Sequence, residues 1–191
     1  MRCLAWGSPD GQRLAIELGA PEYTADTFGS KRYTLLATRS SGHSVPLVNG
    51  QEQASGSEFS AELLDVVAGT DEVSIQLDLT KAYPAVGQRR LLRQIRLDGN
   101  AACLTVEDQL WADEPCSLES VLITASDNAE VLGLEPLPGS QLAGKECLRF
   151  RDNRGEELTA WRWCWQAAVT PPICDGNEPQ CVGYVIRPAG N

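Results

Sequence analysis

The chain of 191 residues holds a single histidine, His43, in the run Ser41-Gly42-His43-Ser44. Imidazole changes charge near neutrality and offers two ring nitrogens. A lone histidine among small residues therefore reads as a metal ligand, as a general base, or as a structural side chain hydrogen-bonded through both nitrogens. Trp161, Trp163 and Trp165 alternate with Arg162 and Cys164, which places three indoles on one face of a strand. Such a stripe either stacks on sugar rings or packs into a core, and its large area favours the core. Arg89, Arg90, Arg93 and Arg96 form a basic cluster; a regular strand would put Arg90 and Arg96 on one face and Arg89 and Arg93 on the other. We read it as a solvated face paired with carboxylates rather than as a polyanion groove. Asp108 and Asp113, with Glu107 and Glu114, read as a strand end followed by an acidic turn. Gly-rich phosphate loops, G-x-S-x-G elbows and Cys-His catalytic pairs are not found, and no full catalytic constellation emerges.

The elements that would position these side chains repeat every second residue. Val73, Ile75, Leu77 and Leu79 alternate with polar residues, as do Leu104, Val106 and Leu110, and later Val182, Tyr184 and Ile186. Between such runs stand turn signals: Asp10-Gly11, Asn49-Gly50, Asp98-Gly99-Asn100, Pro138-Gly139 and Asn153-Arg154-Gly155. Only Ser60 to Ala68 could form a short helix, and it suits a strand equally well. Ala167 to Gln180, rich in proline, reads as a long loop. The prediction is an all-β chain, a two-sheet antiparallel β-sandwich of roughly a dozen strands over residues 1–191 as one domain, with no helix beyond about three turns.

Hydrophobic residues make up 42% of the chain, enough for one sizeable core, and the formal charge is −10. That charge argues against duplex nucleic acid and anionic membranes as partners. No apolar run approaches the roughly 18 residues of a membrane span. Seven cysteines without any C-x-x-C pair predict reduced, mostly buried thiols in a cytoplasmic protein rather than a disulfide framework or zinc finger.

One stretch goes further. Leu14 to Ala20, with Glu22-Tyr23, Phe28-Gly29, Lys31-Arg32-Tyr33, Ser41-Gly42-His43, Val45 to Gly50 and Gln53, resembles the central sheet segment of heparinase II/III-like polysaccharide lyases. In that family a strand ends in an acidic residue before Leu/Pro-Gly, and a Ser-x-His followed by an Asn-Gly or Asp-Gly turn comes about a couple of dozen residues later. Here the interval from Glu17 to His43 is 26 residues. Leu77 to Pro84, the basic strand Arg89 to Leu97 and Val106 to Leu110 are also similar. The resemblance implies the C-terminal β-sandwich of such a lyase, acting by β-elimination on uronate-containing polysaccharide. It implies Glu17 and His43 as ligands of a divalent metal, zinc in most members, and Arg32 and Tyr33 as substrate-binding residues. Two departures stand out: the usual Asp is Glu17, and the upstream H-x-H or N-H-x-D type motif has no counterpart in these residues. The family also carries most catalytic groups on an α/α-toroid. The expectation is therefore a β-domain inactive alone that works with a helical partner domain or chain, Glu17 and His43 lying close together, metal-free or joined by a hydrogen bond. The alternative is a stand-alone carbohydrate-binding or structural module.

Overall fold

A computed structural model describes residues 6–7, 11, 13–84, 87–167 and 178–187. Among these are twelve strands: β1 (Trp6–Gly7), β2 (Arg13–Ala15), β3 (Leu47–Val48), β4 (Glu62–Ala68), β5 (Glu72–Asp78), β6 (Gln88–Asp98), β7 (Cys103–Ala112), β8 (Leu118–Thr124), β9 (Leu134–Pro136), β10 (Ser140–Arg151), β11 (Glu157–Ala167) and β12 (Gln180–Ile186). The only α-helices in the described residues, α1 (Ala25–Phe28) and α2 (Ala129–Leu132), have four residues each. None is long and apolar enough to cross a membrane. Turn chemistry acts where the sequence placed it. Asn49 and Gly50 both take positive φ, 52° and 68°, and close the bridge between Val48 and Gln51.

All pairings are antiparallel and form two sheets stacked as a β-sandwich. The first runs β1-β2-β8-β11-β10, with β3 beside β2 on the same edge of β8. The second runs β4-β5-β6-β7-β12-β9. Within Ser60 to Ala68, ambiguous in sequence, Glu62–Ala68 forms β4, the outermost strand of its sheet. The sheets meet chiefly through β7 and β12 on one side and β8 and β11 on the other. Val73, Ile75 and Leu77 are accordingly only half-buried, because β4 and β5 extend past the strands that face the core.

The shared core holds Leu91, Leu104, Val106, Leu110, Leu118, Leu122, Val182, Tyr184 and Ile186 with Trp163 and Trp165. The indoles stack in series: Trp163 lies 6.4 Å from Trp165, and Trp165 lies 4.6 Å from Tyr184. Trp163 Nε1 donates to Thr124 Oγ1 at 2.8 Å, which satisfies its one polar group. Trp161 is half-buried on the same face, and the ammonium of Lys145 sits over it and Trp163. Trp163 and Trp165 are core, as their area predicted, and Trp161 lies at its margin.

A second apolar cluster lies on the opposite face of the first sheet, where Val121, Ile123, Leu148, Ala160 and Cys164 are covered by Leu18, Leu47, Ile16, Leu36 and Ala37. The segment between β2 and β3 thus forms a third layer. Of the five described cysteines, Cys103 and Cys164 are buried, Cys116 is half-buried and Cys147 and Cys181 are exposed, so among the described residues the expectation of mostly buried thiols is corrected. Burial pushes the Cys164 thiol up to about 12, aided by the Glu119 carboxylate that accepts its hydrogen bond at 3.0 Å, which makes it a poor nucleophile. Cys3, Cys174 and most of the proline-rich stretch lie outside the described residues.

Candidate functional site

Glu17 and His43 meet because each lies one residue from a contact with the same residue of β8, Ile123. Ile16 N donates to Ile123 O at 3.0 Å, and Ile123 N donates to Ser44 Oγ at 2.9 Å. The chain leaving β2 and the chain approaching β3 are thereby set on one stretch of the edge of β8, and His43 Nδ1 comes to 2.7 Å from Glu17 Oε2. The other ring nitrogen, Nε2, lies 3.1 Å from Ala37 O. A carbonyl only accepts, so Nε2 carries a hydrogen and the imidazole is engaged through both nitrogens. His43 is buried, 6% exposed.

Three consecutive 3-10 turns, 32–34, 36–38 and 40–42, bring Ala37 under the ring. Gly42 permits the approach. A Cβ there would stand 2.2 Å from Leu36 O and 3.0 Å from Leu18 Cδ1, so Gly42→Ala must push the backbone that presents Ala37 away from His43. We expect a loss of about 1–3 kcal/mol in chemical denaturation and a clear change in the His43 ring resonances. Unchanged stability with unchanged resonances would show that the turn yields freely.

Beneath this loop lies an ionic network that sequence reasoning placed on the surface. Arg93 is 4% exposed and Asp108 0%. Arg93 Nε and Nη2 donate to Asp108 Oδ1 and Oδ2 at 2.7 and 2.8 Å, a bidentate pair. Arg93 Nη1 also donates to Ser44 O, and Ser120 Oγ donates to Asp108 Oδ2 at 2.6 Å. Burial works against the guanidinium charge, but Asp108 outweighs it and Arg93 stays above its ordinary pKa. The reading of the arginine cluster as a solvated face is corrected at Arg93, and that of Asp108 as a strand-end acid is corrected outright. The other arginines do face water: Arg89 pairs with Asp113 at 3.0 Å, Arg90 lies 3.8 Å from Asp78, and Arg96 is exposed. A shift of register between Gln88 and Arg90 breaks the simple alternation there. The signal for Arg93 and Asp108 was present nonetheless, since Leu91, Arg93, Ile95 and Leu97 share one parity and Leu104, Val106, Asp108 and Leu110 another.

Arg32 and Tyr33 sit together on an exposed turn, Tyr33 at 55% exposure, on the segment that leads to His43. For zinc, the donor set does not fit. Glu17 and His43 contact each other directly, the second imidazole nitrogen faces a carbonyl, and among the described residues no group of three or more His, Cys, Asp or Glu converges. Zinc takes three or four protein ligands. Glu17 Oε1 is buried and lacks a hydrogen-bond partner among the described residues, so one acceptor of the pair stays open.

No family model and no curated protein sequence matches the chain. Solved structures do. Heparan sulfate lyase HepC from Pedobacter heparinus superposes with a TM-score of 0.71 at 13% identity, over 95% of this chain and 29% of that one. The heparinase III-BT4657 gene product gives 0.61 at 9% identity, over 94% and 29%. The fold is heparinase III-like. A form of the latter with methylated lysines gives 0.66 at 10% identity. The chain spans 29% of the length of the heparinase III structures it matches, so the heparinase-like fold is a portion of a larger architecture in those proteins.

Proposed function

We propose that this chain is the β-sandwich portion of a polysaccharide lyase that cleaves uronate-containing polysaccharide by β-elimination, its Glu17–His43 face completing a cleft with a helical partner domain or chain. The observation that carries this reading is the convergence of Glu17 and His43 at 2.7 Å within a heparinase-like fold. Arg32 and Tyr33 would contact substrate from the neighbouring turn.

Elimination requires neutralisation of the sugar carboxylate, a base for the C5 proton and an acid for the leaving oxygen. One imidazole held at both nitrogens does not fill these roles. The purified chain alone should therefore give no unsaturated-uronate absorbance on heparan sulfate, hyaluronan or alginate. Together with its helical partner it should, and His43→Ala and His43→Gln should each lower that rate about 100-fold by misplacing the Glu17–His43 face in the cleft. Elimination by a complex indifferent to both substitutions would remove the Glu17–His43 face from the cleft, and silence on every uronate polymer would remove the lyase reading. Silence in the complex together with saccharide binding would favour the second reading, a carbohydrate-binding module without chemistry; the closure of both His43 nitrogens supports that alternative.

A further inference from the structure

We propose that the Tyr23–Phe28 ring pair, with Lys31 and Arg32 beside it in sequence, is a contact surface for an anionic saccharide. The inference rests on the polysaccharide reading above but needs no catalysis.

Local structure explains why the two rings meet. Tyr23 precedes the cap of α1 and Phe28 ends it, the positions at which a hydrophobic staple forms. Thr24 N donates to Thr27 Oγ1 at 3.0 Å, and Thr27 Oγ1 donates onward to Glu22 O at 2.7 Å, with Thr27 buried. The rings stack at 5.8 Å between centroids and 22° between planes. A staple accounts for that contact. It does not account for the outer faces, because Tyr23 is 63% and Phe28 75% exposed. With Tyr33 they are the only well-exposed aromatic side chains among the described residues, and all three fall on the segment that ends at His43. Held by the staple, the rings lose little freedom when a ligand lies on them.

Charge selects the ligand. From Glu22 to Gln51 the chain carries Lys31, Arg32, Arg39 and His43 against only Glu22 and Asp26, although the whole chain stands at −10. Arg39 is committed to Glu52 at 2.5 Å. Lys31 lies 3.9 Å from Asp26, both well exposed, so its pairing is weak. Arg32 has no ion-pair partner among the described residues and offers its fork to a carboxylate or sulfate. Exposed ring faces suit the C–H face of a pyranose, and a guanidinium on the same segment suits its acidic substituent. The surface is anchored to the sandwich: Pro21 bridges to Asp152 in the turn between β10 and β11, and Thr38 Oγ1 donates to Arg32 O and to Leu35 O.

The test titrates the full chain with oligosaccharides of heparan sulfate, hyaluronan and alginate, using neutral cello-oligosaccharides as control and following binding by calorimetry and backbone amide shifts. We expect at least one anionic series to bind and to shift the amides of residues 22–34, with weaker binding as salt rises. Tyr23→Ala and Phe28→Ala should weaken that binding at least about ten-fold. Phe28→Leu, which keeps the staple apolar, should weaken it similarly with thermal stability unchanged. Arg32→Ala should weaken the anionic series and flatten its salt dependence. Failure of all three anionic series to bind, binding that shifts amides elsewhere, or affinity unchanged in these variants would overturn the surface. So would self-association that Phe28→Leu abolishes without any saccharide binding, which would assign the rings to a second copy. Elimination by the complex that ignores these variants would remove this surface and leave the lyase reading standing; saccharide binding here with no elimination would do the reverse.

Discussion

Asp108→Ala is expected to cost about 3–5 kcal/mol, a large share of the roughly 5–15 kcal/mol that holds a domain of this kind together. The loss comes from what remains. Arg93 would keep its charge between the sheets with its two best acceptors gone, and Ser120 would lose the oxygen to which it donates. The double variant Arg93→Met, Asp108→Leu removes both charges and should regain part of the loss, because the desolvation of the pair disappears with it. It should not reach the wild type. Ser44 O and the Ser120 hydroxyl would both be left buried and unpaired, at about 1–3 kcal/mol each if no new partner is found. Urea denaturation should rank wild type above the double variant and the double above the single. An Asp108→Ala chain as stable as wild type would mean that the network carries no net stability.

Trp165→Ala should produce a loss of similar size for a different reason. The indole is 2% exposed between Trp163 and Tyr184, so truncation opens a cavity between sheets that cannot collapse without moving both. Truncations of this kind cost about 3–5 kcal/mol. For a chain of this length that corresponds to roughly 6–20 °C in Tm, read by circular dichroism. Trp161→Ala, on the same face but half-buried, should cost clearly less. Equal losses at the two positions would contradict a core centred on Trp165.

The periodicity of two and the turn pairs made the sandwich legible, since each rests on local sterics that tertiary packing did not override: Asn49-Gly50 is the example, with both φ values positive. Arg93 and Asp108 read as surface residues for a physical reason. Charged residues are ordinarily exposed, and that tendency outweighed a parity that placed both among leucines and valines. Their burial becomes intelligible only when the two find each other across β6 and β7 and share Ser44 and Ser120. The closeness of Glu17 and His43 could be expected only through the family resemblance, because nothing local in either segment reveals that β8, far along the chain, will hold both. Ala37 O was invisible for the same reason, as a backbone acceptor that no side-chain pattern announces.

That dependence on β8 has a consequence for how the chain comes to be folded. Ala15 pairs with Thr124, about a hundred residues further on, and β3 and β11 flank the same strand from opposite directions in sequence. Pairings so distant in sequence must await loop closure, which places this topology among slow folders. The second sheet is mostly a succession of hairpins from β4 to β7 and can form early. The segment from β2 to β3, made before β8, would then be among the last to settle, holding its apolar residues in water until β8 arrives.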